Sequence, residues 1–250
     1  MELEGRIALV TGFSGRGMGR SVAFALAREG ATIVGSFRSN EARAKDTAAA
    51  IEREFSRRCV PVRADLADAA ETLELASAAV GAFGRVDILV CSAGGDWTPR
   101  DLTEVPPESF RKVLAEEVES AFLLIRALLP GMRGRGWGRI VLIGGHRADD
   151  WPYGPPEAPL DYPLGKAARH WMARILGPRE RDRGVTVNAV APGPIRYVDL
   201  DEALRLARRG SETGARGTPA EVADVVAALC SERAGGVSGA VIPLPGVRPV

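Results

Sequence analysis

Short runs of apolar residues alternate along the whole chain with segments whose apolar residues recur at helical spacing. The runs predict β-strands at 6–10, 32–35, 60–62, 86–91, 139–143, 186–191 and 240–244. The segments between them predict helices at 21–29, about 41–57, 69–83, 109–129, 162–181 and 220–231. Because strands this apolar need cover on both faces, the pattern predicts a parallel sheet of about seven strands with helices on both sides.

Right-handed connections between such strands give a Rossmann-like, doubly wound α/β fold. No Pro/Ser-rich linker and no internal repeat interrupts the pattern, so we expect a single domain spanning 1–250. Two segments break the alternation: 147–161, rich in proline and aspartate, and 196–217, rich in arginine and glycine. Both follow strand ends on the side where such sheets bind ligands, so we expect them to form walls of a substrate pocket.

A glycine-rich segment, Thr11 to Arg20, joins the first predicted strand to the first helix. Glycines at this turn let the backbone approach a pyrophosphate, whose charge is stabilised by the amides of the helix N-terminus. The position of the segment in a long strand–helix series therefore predicts a dinucleotide site. Its candidate contacts are Gly12, Ser14, Arg16, Gly17, Met18 and Gly19.

The end of the second predicted strand bears on the choice between NADP and NAD. An acidic residue there binds the ribose 2′-hydroxyl, whereas a basic residue accepts a 2′-phosphate. No carboxylate occurs between Gly35 and Glu41, while Arg38 and Ser39, together with Arg16, suit a phosphate. We therefore expect NADP(H), with NAD(H) as the open alternative. In the alternative interpretation Arg38 is a solvated loop arginine.

Tyr162 and Lys166 lie four positions apart in a predicted helix, so their side chains share one face. A free phenol has a pKa of ~10 and is a poor acid or base at neutral pH. A cation beside it stabilises the phenolate and lowers that pKa. We therefore expect Tyr162 to exchange a proton with the substrate and Lys166 to assist it.

These features together resemble the short-chain dehydrogenase/reductase family over nearly the whole chain. Further segments that carry the resemblance are Ala64-Asp65-Leu66, Ala93-Gly94, Val187 to Ile195 and Gly217 to Ala223. The resemblance implies cofactor contacts at Asp65, Leu66, Ser92, Ala93, Gly94, Tyr162, Lys166, Pro192, Gly193 and Ile195. It also implies hydride transfer between a nicotinamide and a carbonyl carbon, and a homodimer or homotetramer paired through the long helices.

The chain departs from that family at two positions of the active site, which makes it an atypical member. Gly145 stands where the family has a serine after the fifth strand, and Glu117 stands at the asparagine of the long helix. An ionised Glu117 would oppose formation of the phenolate, or it would pair with Lys166. In the alternative, the helix is rotated and Glu117 faces solvent. Glu117 is therefore the third catalytic candidate beside Tyr162 and Lys166.

Smaller departures surround the same site. The glycine loop is one residue longer between Gly12 and Gly17, and Cys91 and Ser92 replace two asparagines that brace the centre of the sheet. Tyr197 stands where the resemblance implies a threonine.

Other side chains near these positions leave several interpretations open. His146 either donates to a substrate oxygen or is a loop histidine bonded to the backbone. Asp149, Asp150 and Asp161 are either solvated or, with Glu117, give the pocket a negative field. Such a field would suit a substrate that is cationic at the reacting centre, for example an iminium.

Composition excludes several other classes of function. A net charge of +1 gives no reason to expect nucleic acid or an acidic membrane as partner. The three cysteines and two histidines form no metal-site pattern. No apolar run approaches the ~20 residues that span a bilayer. Because the start of the chain also lacks the pattern of a signal peptide, we expect a cytoplasmic protein.

The favoured function is therefore an NADPH-dependent reductase acting on a carbonyl, C=N or C=C group of a small organic molecule. The changes at Gly145 and Glu117 keep two alternatives open on the same fold. One is a non-redox lyase, cyclase or dehydratase, and the other is a catalytically silent binding protein.

Overall fold

Seven parallel strands form one sheet at the centre of the molecule. A computed structural model describes residues 1–95, Thr98, 101–149, 159–209 and 217–245. The strands are β1 (Ile7–Val10), β2 (Thr32–Phe37), β3 (Cys59–Arg63), β4 (Ile88–Cys91), β5 (Gly138–Ile143), β6 (Val185–Pro192) and β7 (Val241–Leu244). Their spatial order is β3-β2-β1-β4-β5-β6-β7. The order reverses between β1 and β4, so a crevice opens beyond the carboxyl ends of these strands.

Helices cover both faces of the sheet. They are α1 (Met18–Arg28), α2 (Glu41–Phe55), α3 (Ala69–Phe83), α4 (Pro107–Leu114), α5 (Ser120–Gly134), α6 (Asp161–Glu180), α7 (Leu200–Arg209) and α8 (Pro219–Cys230). Residues of α1, α2, α7 and α8 form one apolar core with the strands, and residues of α3, α5 and α6 form the other. The predicted Rossmann-like sheet is confirmed, with boundaries that differ by a few residues.

The segment predicted as a loop at 196–217 contains a helix, so that part of the prediction is wrong. Helix α7 buries Ala203, Leu204, Leu206 and Ala207 against the core. Arginine-rich composition concealed the helical spacing of these apolar residues. Residues 150–158 and 210–216, within the two predicted walls of the substrate pocket, lie outside the described residues. The role of both segments stays a prediction. The single domain over 1–250 also stays a prediction.

The long helix predicted at 109–129 is divided by a π-helical segment, Ala115–Glu119, hereafter the π segment, which joins α4 to α5. A π turn has a wider hydrogen-bonding period than an α turn and changes where the following side chains point. Glu116 and Glu117 are both buried in the protein. The alternative in which Glu117 faces solvent is therefore wrong.

In the described part of the chain, no helix is both long and apolar enough to cross a bilayer. The same residues contain no group of three or more potential metal ligands arranged to hold an ion.

Candidate active site and cofactor cleft

A cleft of about 370 Å³ opens beyond the carboxyl ends of β1 to β4. Predicted cofactor contacts that line it are Gly12, Ser14, Arg38, Ser39, Asp65, Leu66, Ala93 and Gly94. Lining residues that sequence reasoning missed are Gly15, Ser36, Phe37, Asn40, Arg43, Ala64 and Glu116. The remaining predicted contacts do not line this cleft: Arg16, Gly17, Met18, Gly19, Ser92, Tyr162, Lys166, Pro192, Gly193 and Ile195.

Close backbone packing shapes the glycine loop. Gly12 has a φ of +73°, and a Cβ on it would lie 3.1 Å from Ala93. A Cβ on Gly19 would lie 2.6 Å from the carbonyl oxygen of Gly12. Thr11 joins this loop to the end of β4, since its hydroxyl accepts from the amides of Ser92 and Ala93 at 2.9 and 3.0 Å. The glycines therefore leave a cradle that side chains would fill, which suits a pyrophosphate.

The outer end of the cleft is rich in cationic and hydrogen-bonding groups. Arg38, Ser39, Asn40 and Arg43 line it together. The guanidinium of Arg43 has no anionic partner among the described residues. This donor set suits an anion such as the 2′-phosphate of NADP. Arg16 lies instead in a neighbouring pocket of about 340 Å³, which Arg43 also lines.

Glu116 spans the cleft from the π segment and pairs with Arg38 at 2.8 Å. Lys112 lies 4.0 Å from the same carboxylate. Arg38 is half exposed and its charge is partnered by Glu116, so its contact with a phosphate stays a prediction. An anionic ligand that contacts Arg38 must compete with Glu116.

Glu117 is fully buried and pairs with Lys166, with Oε1 3.0 Å from Nζ. The amide of Gly95 donates to the same oxygen at 2.9 Å. Two glycines leave space for the Glu117 side chain. A side chain on Gly94 would collide with the carboxylate, and a Cβ on Gly165 would lie 2.6 Å from Glu117 Cβ. The sequence left open whether Glu117 opposes the phenolate or pairs with Lys166, and in the structure it forms the ion pair with Lys166.

Arg169 is a fully buried arginine that sequence reasoning missed. Its guanidinium donates to five carbonyls: those of Glu117 at 2.8 Å, Cys91 at 3.2 Å, Ile143 at 2.9 Å, Ala93 at 2.6 Å and Glu116 at 3.4 Å. One side chain thus ties the ends of β4 and β5 to the π segment. It braces the centre of the sheet, where the resemblance implies two asparagines. The available signal was its spacing, seven residues after Tyr162 on one helical face.

Lys166 is buried between these groups, and Tyr162 is half-buried. The ammonium lies 5.1 Å from the centre of the Tyr162 ring and 3.4 Å from the carbonyl oxygen of Ile143. Burial lowers the pKa of Lys166 to about 8; Glu117 opposes this shift and Arg169 adds to it. The cation beside Tyr162 is therefore one whose charge can change near neutral pH.

His170 occupies the space behind Gly144 and Gly145, at the end of β5. The amide of Gly145 donates to His170 Nε2 at 3.4 Å, and His170 Nδ1 lies 2.9 Å from Asp149, which also pairs with Arg174. A side chain on Gly144 would collide with the imidazole. Burial lowers the pKa of His170. A neutral, buried imidazole therefore backs the backbone where the resemblance implies a serine.

Asp149 and Asp161, two of the aspartates near the site, have partners in the structure. Asp149 is paired rather than solvated, and buried Asp161 accepts from the amide of Tyr162 at 2.9 Å. In a second pocket of about 180 Å³, Arg38 and Lys112 lie with Glu116 and Asp161, so the charges balance. Asp150 lies outside the described residues. The charges of the described residues near the site therefore do not favour a cationic substrate.

His146 is bound through its backbone, since its amide donates to the carbonyl of Pro192 at 2.8 Å. This contact fits the interpretation of a loop histidine. The imidazole Nδ1 is buried and has no hydrogen-bond partner among the described residues.

Known proteins resemble the chain over almost its full length. Residues 12–246 match a family model described as enoyl-(acyl carrier protein) reductase. The chain is 32% identical to cyclohexanol dehydrogenase of Rhodococcus sp. (strain TK6), over 98% of this chain and 97% of that protein.

Solved structures show the same relationship. The short-chain dehydrogenase/reductase from Serratia marcescens BCRC 10948 superposes with a TM-score of 0.83 at 30% identity, covering 98% of both chains. L-Sorbose reductase from Gluconobacter frateurii, solved with NADPH and L-sorbose, gives a TM-score of 0.84 at 26% identity, again covering 98% of both chains.

Proposed function

The chain belongs to the short-chain dehydrogenase/reductase family, and from this we propose that it is an NADPH-dependent reductase of small organic molecules. The reduced group is a carbonyl, C=N or C=C group. The observation that carries the proposal is the ammonium of Lys166, 5.1 Å from the centre of the Tyr162 ring. This pair supplies a proton donor with an adjacent cation, and the nearby cleft suits a dinucleotide.

Tyr162 has the central role in the proposed reaction. When bound in the cleft, a dinucleotide would supply the hydride to the substrate carbon. The Tyr162 hydroxyl gives its proton to the substrate oxygen, or to the corresponding nitrogen or carbon. The phenolate that remains is stabilised by the Lys166 ammonium. Glu117 keeps that ammonium charged in a buried position, where burial alone would favour the neutral amine.

Gly145 makes the proposed site atypical, because it brings no hydroxyl to the substrate oxygen. Loss of one oriented donor at a reacting oxygen costs ~10²–10³ in rate. The proposed enzyme therefore depends more heavily on Tyr162 for polar contact with that oxygen, and on the pocket walls for orientation.

The preference for NADPH rests on the outer end of the cleft. Arg38, Ser39 and Arg43 suit a 2′-phosphate, and L-sorbose reductase is described in complex with NADPH. NAD(H) is the alternative, because Glu116 already partners Arg38.

Consumption of NADPH tests the proposal. The protein is incubated with NADPH and panels of ketones, aldehydes, cyclic imines and activated alkenes, and oxidation of NADPH is followed optically. We expect oxidation with at least one class. If NADPH binds but no class is reduced, the proposed function is wrong.

A non-redox activity on the same fold is the second candidate. It is favoured by Gly145, which lacks the hydroxyl, and by Lys166, which Glu117 already engages. Titration with NADPH and NADH, followed by tryptophan fluorescence, separates the two candidates. No binding of either dinucleotide by the folded protein would favour the second.

A further inference from the structure

Three charged side chains form a closed cluster beside Tyr162: Glu117, Lys166 and Arg169, hereafter the buried charge cluster. None is more than 3% exposed. Lys166 Nζ and Arg169 Nε approach different oxygens of Glu117, at 3.0 and 3.1 Å. Both cations therefore lie within ion-pair distance of the carboxylate. The cluster therefore holds two positive charges against one negative charge.

The two partners act on Lys166 in opposite directions. Glu117 attracts the proton on Nζ, whereas Arg169 repels it with a charge that a guanidinium keeps at every working pH. Arg169 also donates to the carbonyl of Glu117 at 2.8 Å, which fixes the backbone from which the carboxylate reaches Lys166.

Other titratable groups around the cluster add little to this balance. They are Tyr162 and His170 on α6, Cys91 on β4 and Glu116 on the π segment. His170 is neutral because burial lowers its pKa, and burial raises the pKa of the Cys91 thiol to about 11. Glu116 is paired with Arg38. β5 contributes only the carbonyl of Ile143.

We propose that Glu117 and Arg169 are an opposed pair that sets the charge of Lys166, which makes Arg169 a positioning residue of the active site. Glu117 favours the protonated form of Lys166. Arg169 partly opposes this effect with its positive charge, and it also fixes the position of Glu117. A glutamate at the asparagine position is compatible with an active Tyr162 because the nearby arginine compensates its charge. The role of Arg169 in catalysis rests on the proposed function. The effect on the pKa of Lys166 can be measured without it.

Nuclear magnetic resonance of isotopically labelled lysine measures the effect directly. The chain has only Lys45, Lys112 and Lys166, so each side-chain signal can be assigned and titrated in the protein without cofactor. We expect Glu117→Gln to lower the pKa of Lys166 by about one to three units, because it removes the adjacent negative charge. Arg169→Met should raise it, and the double variant should lie between the two.

An exposed pair provides the matched control. Lys45 and Glu41 lie 2.8 Å apart, but both side chains are more than 60% exposed, at 68% and 64%. Glu41→Gln should change the pKa of Lys45 by only a few tenths of a unit, because water screens that pair. It should leave the pKa of Lys166 unchanged. Arg169→Lys keeps a positive charge and should keep the low pKa of Lys166. If Arg169→Lys raised the pKa of Lys166 as much as Arg169→Met does, the cause would be entry of water and not loss of charge. That result would overturn the role of Arg169.

Glu117→Gln decides the proposal even if Arg169→Met does not fold, because it leaves the five carbonyl contacts of Arg169 in place. An unchanged or raised pKa of Lys166 in Glu117→Gln would overturn the proposal. If the pKa of Lys166 shifts as expected in the variants but no NADPH is oxidised, this inference stands and the proposed function is wrong. NADPH oxidation that depends on Tyr162, without the shifts, would leave the function standing and overturn the inference.

Discussion

Glutamates of the π segment meet cationic side chains at two places, one at the cofactor cleft and one in the interior. Glu116 engages Arg38 at the edge of the cofactor cleft, where the arginine is half exposed. Glu117 engages Lys166 in the interior, where both side chains are almost fully buried. Because screening weakens the first pair and burial strengthens the second, the proposed function predicts a modest effect of Glu116 on cofactor choice and a strong effect of Glu117 on the charge beside Tyr162.

Glu116→Gln should strengthen binding of NADPH more than binding of NADH. The change releases Arg38 for the 2′-phosphate, and a pair whose arginine is half exposed is worth up to ~1 kcal/mol, or about fivefold in affinity. Arg43→Met should weaken NADPH selectively. Fluorescence titration with both dinucleotides at one ionic strength measures these effects. Glu119→Gln, at an exposed position of the same segment, is the control. Equal changes for both dinucleotides would contradict the assignment of the phosphate site.

The pH dependence of reduction should follow Lys166. Its pKa in the folded protein is lowered to about 8, so the ammonium is charged below that pH and neutral above it. Since the charge stabilises the phenolate, kcat/KM for reduction should fall as the pH rises through about 8. Glu117→Gln should move the fall to lower pH. A profile that stays flat well above this pH would contradict the role of Lys166.

Packing between elements explains why the site contains so many glycines. The π segment, α6 and the end of β5 bring Glu117 and His170 close to the backbone of neighbouring segments. Gly94 and Gly165 accommodate Glu117, while Gly144 accommodates His170. Glu117 and His170 therefore each need a glycine where another segment approaches them.

Gly144→Ala should lower the free energy of unfolding by about 1–3 kcal/mol, because the new methyl group overlaps the His170 ring. With His170→Ala as the second change, the double variant should lose less than the sum of the two singles. Denaturant unfolding measures these free energies. Gly81→Ala, in helix α3 with open space around it, is the control and should be neutral or stabilising. Additive losses in the double variant would contradict direct contact.

Elements with strong periodicity were predictable from the sequence, and the site was predictable only where local motifs exist. The strands, the glycine loop and the Tyr162/Lys166 spacing follow from short-range patterns. The π segment does not, because its extra residue depends on the tertiary contacts of Glu117. The spacing of Arg169 places it on the same helical face as Tyr162, but it does not predict burial, since an arginine is ordinarily exposed. His170 gave no local signal.

At the scale of the whole molecule, the sheet order places all these elements around one crevice. The cofactor cleft lies where the strand order reverses, and the buried charge cluster lies beneath the ends of β4 and β5. Helix α6 carries the Tyr162/Lys166 pair inward, and it exposes Leu164, Trp171 and Ile175. The spacing of these three residues, at i, i+7 and i+11, forms one apolar stripe.

We expect this stripe to pair two copies of the chain, as the family resemblance implies. Trp171→Glu should shift the protein toward the monomer, because a carboxylate would be buried in the contact. Sedimentation velocity across a range of concentrations measures the change. Leu73→Glu, at a comparably apolar but separate exposed position on α3, is the control and should leave the oligomer intact. A monomeric wild-type protein at all concentrations would contradict the expected dimer.

Single-turnover oxidation of NADPH with an active substrate tests the central claim, that Tyr162 is the proton donor. Tyr162→Phe removes the hydroxyl and is compared with the wild type and with Tyr197→Phe, whose ring is 78% exposed. General acid catalysis contributes ~10²–10⁴ in rate, so Tyr162→Phe should be slower by about that factor while NADPH still binds. Tyr197→Phe should match the wild type. Equal single-turnover rates for wild type and Tyr162→Phe, on every active substrate, would contradict the account.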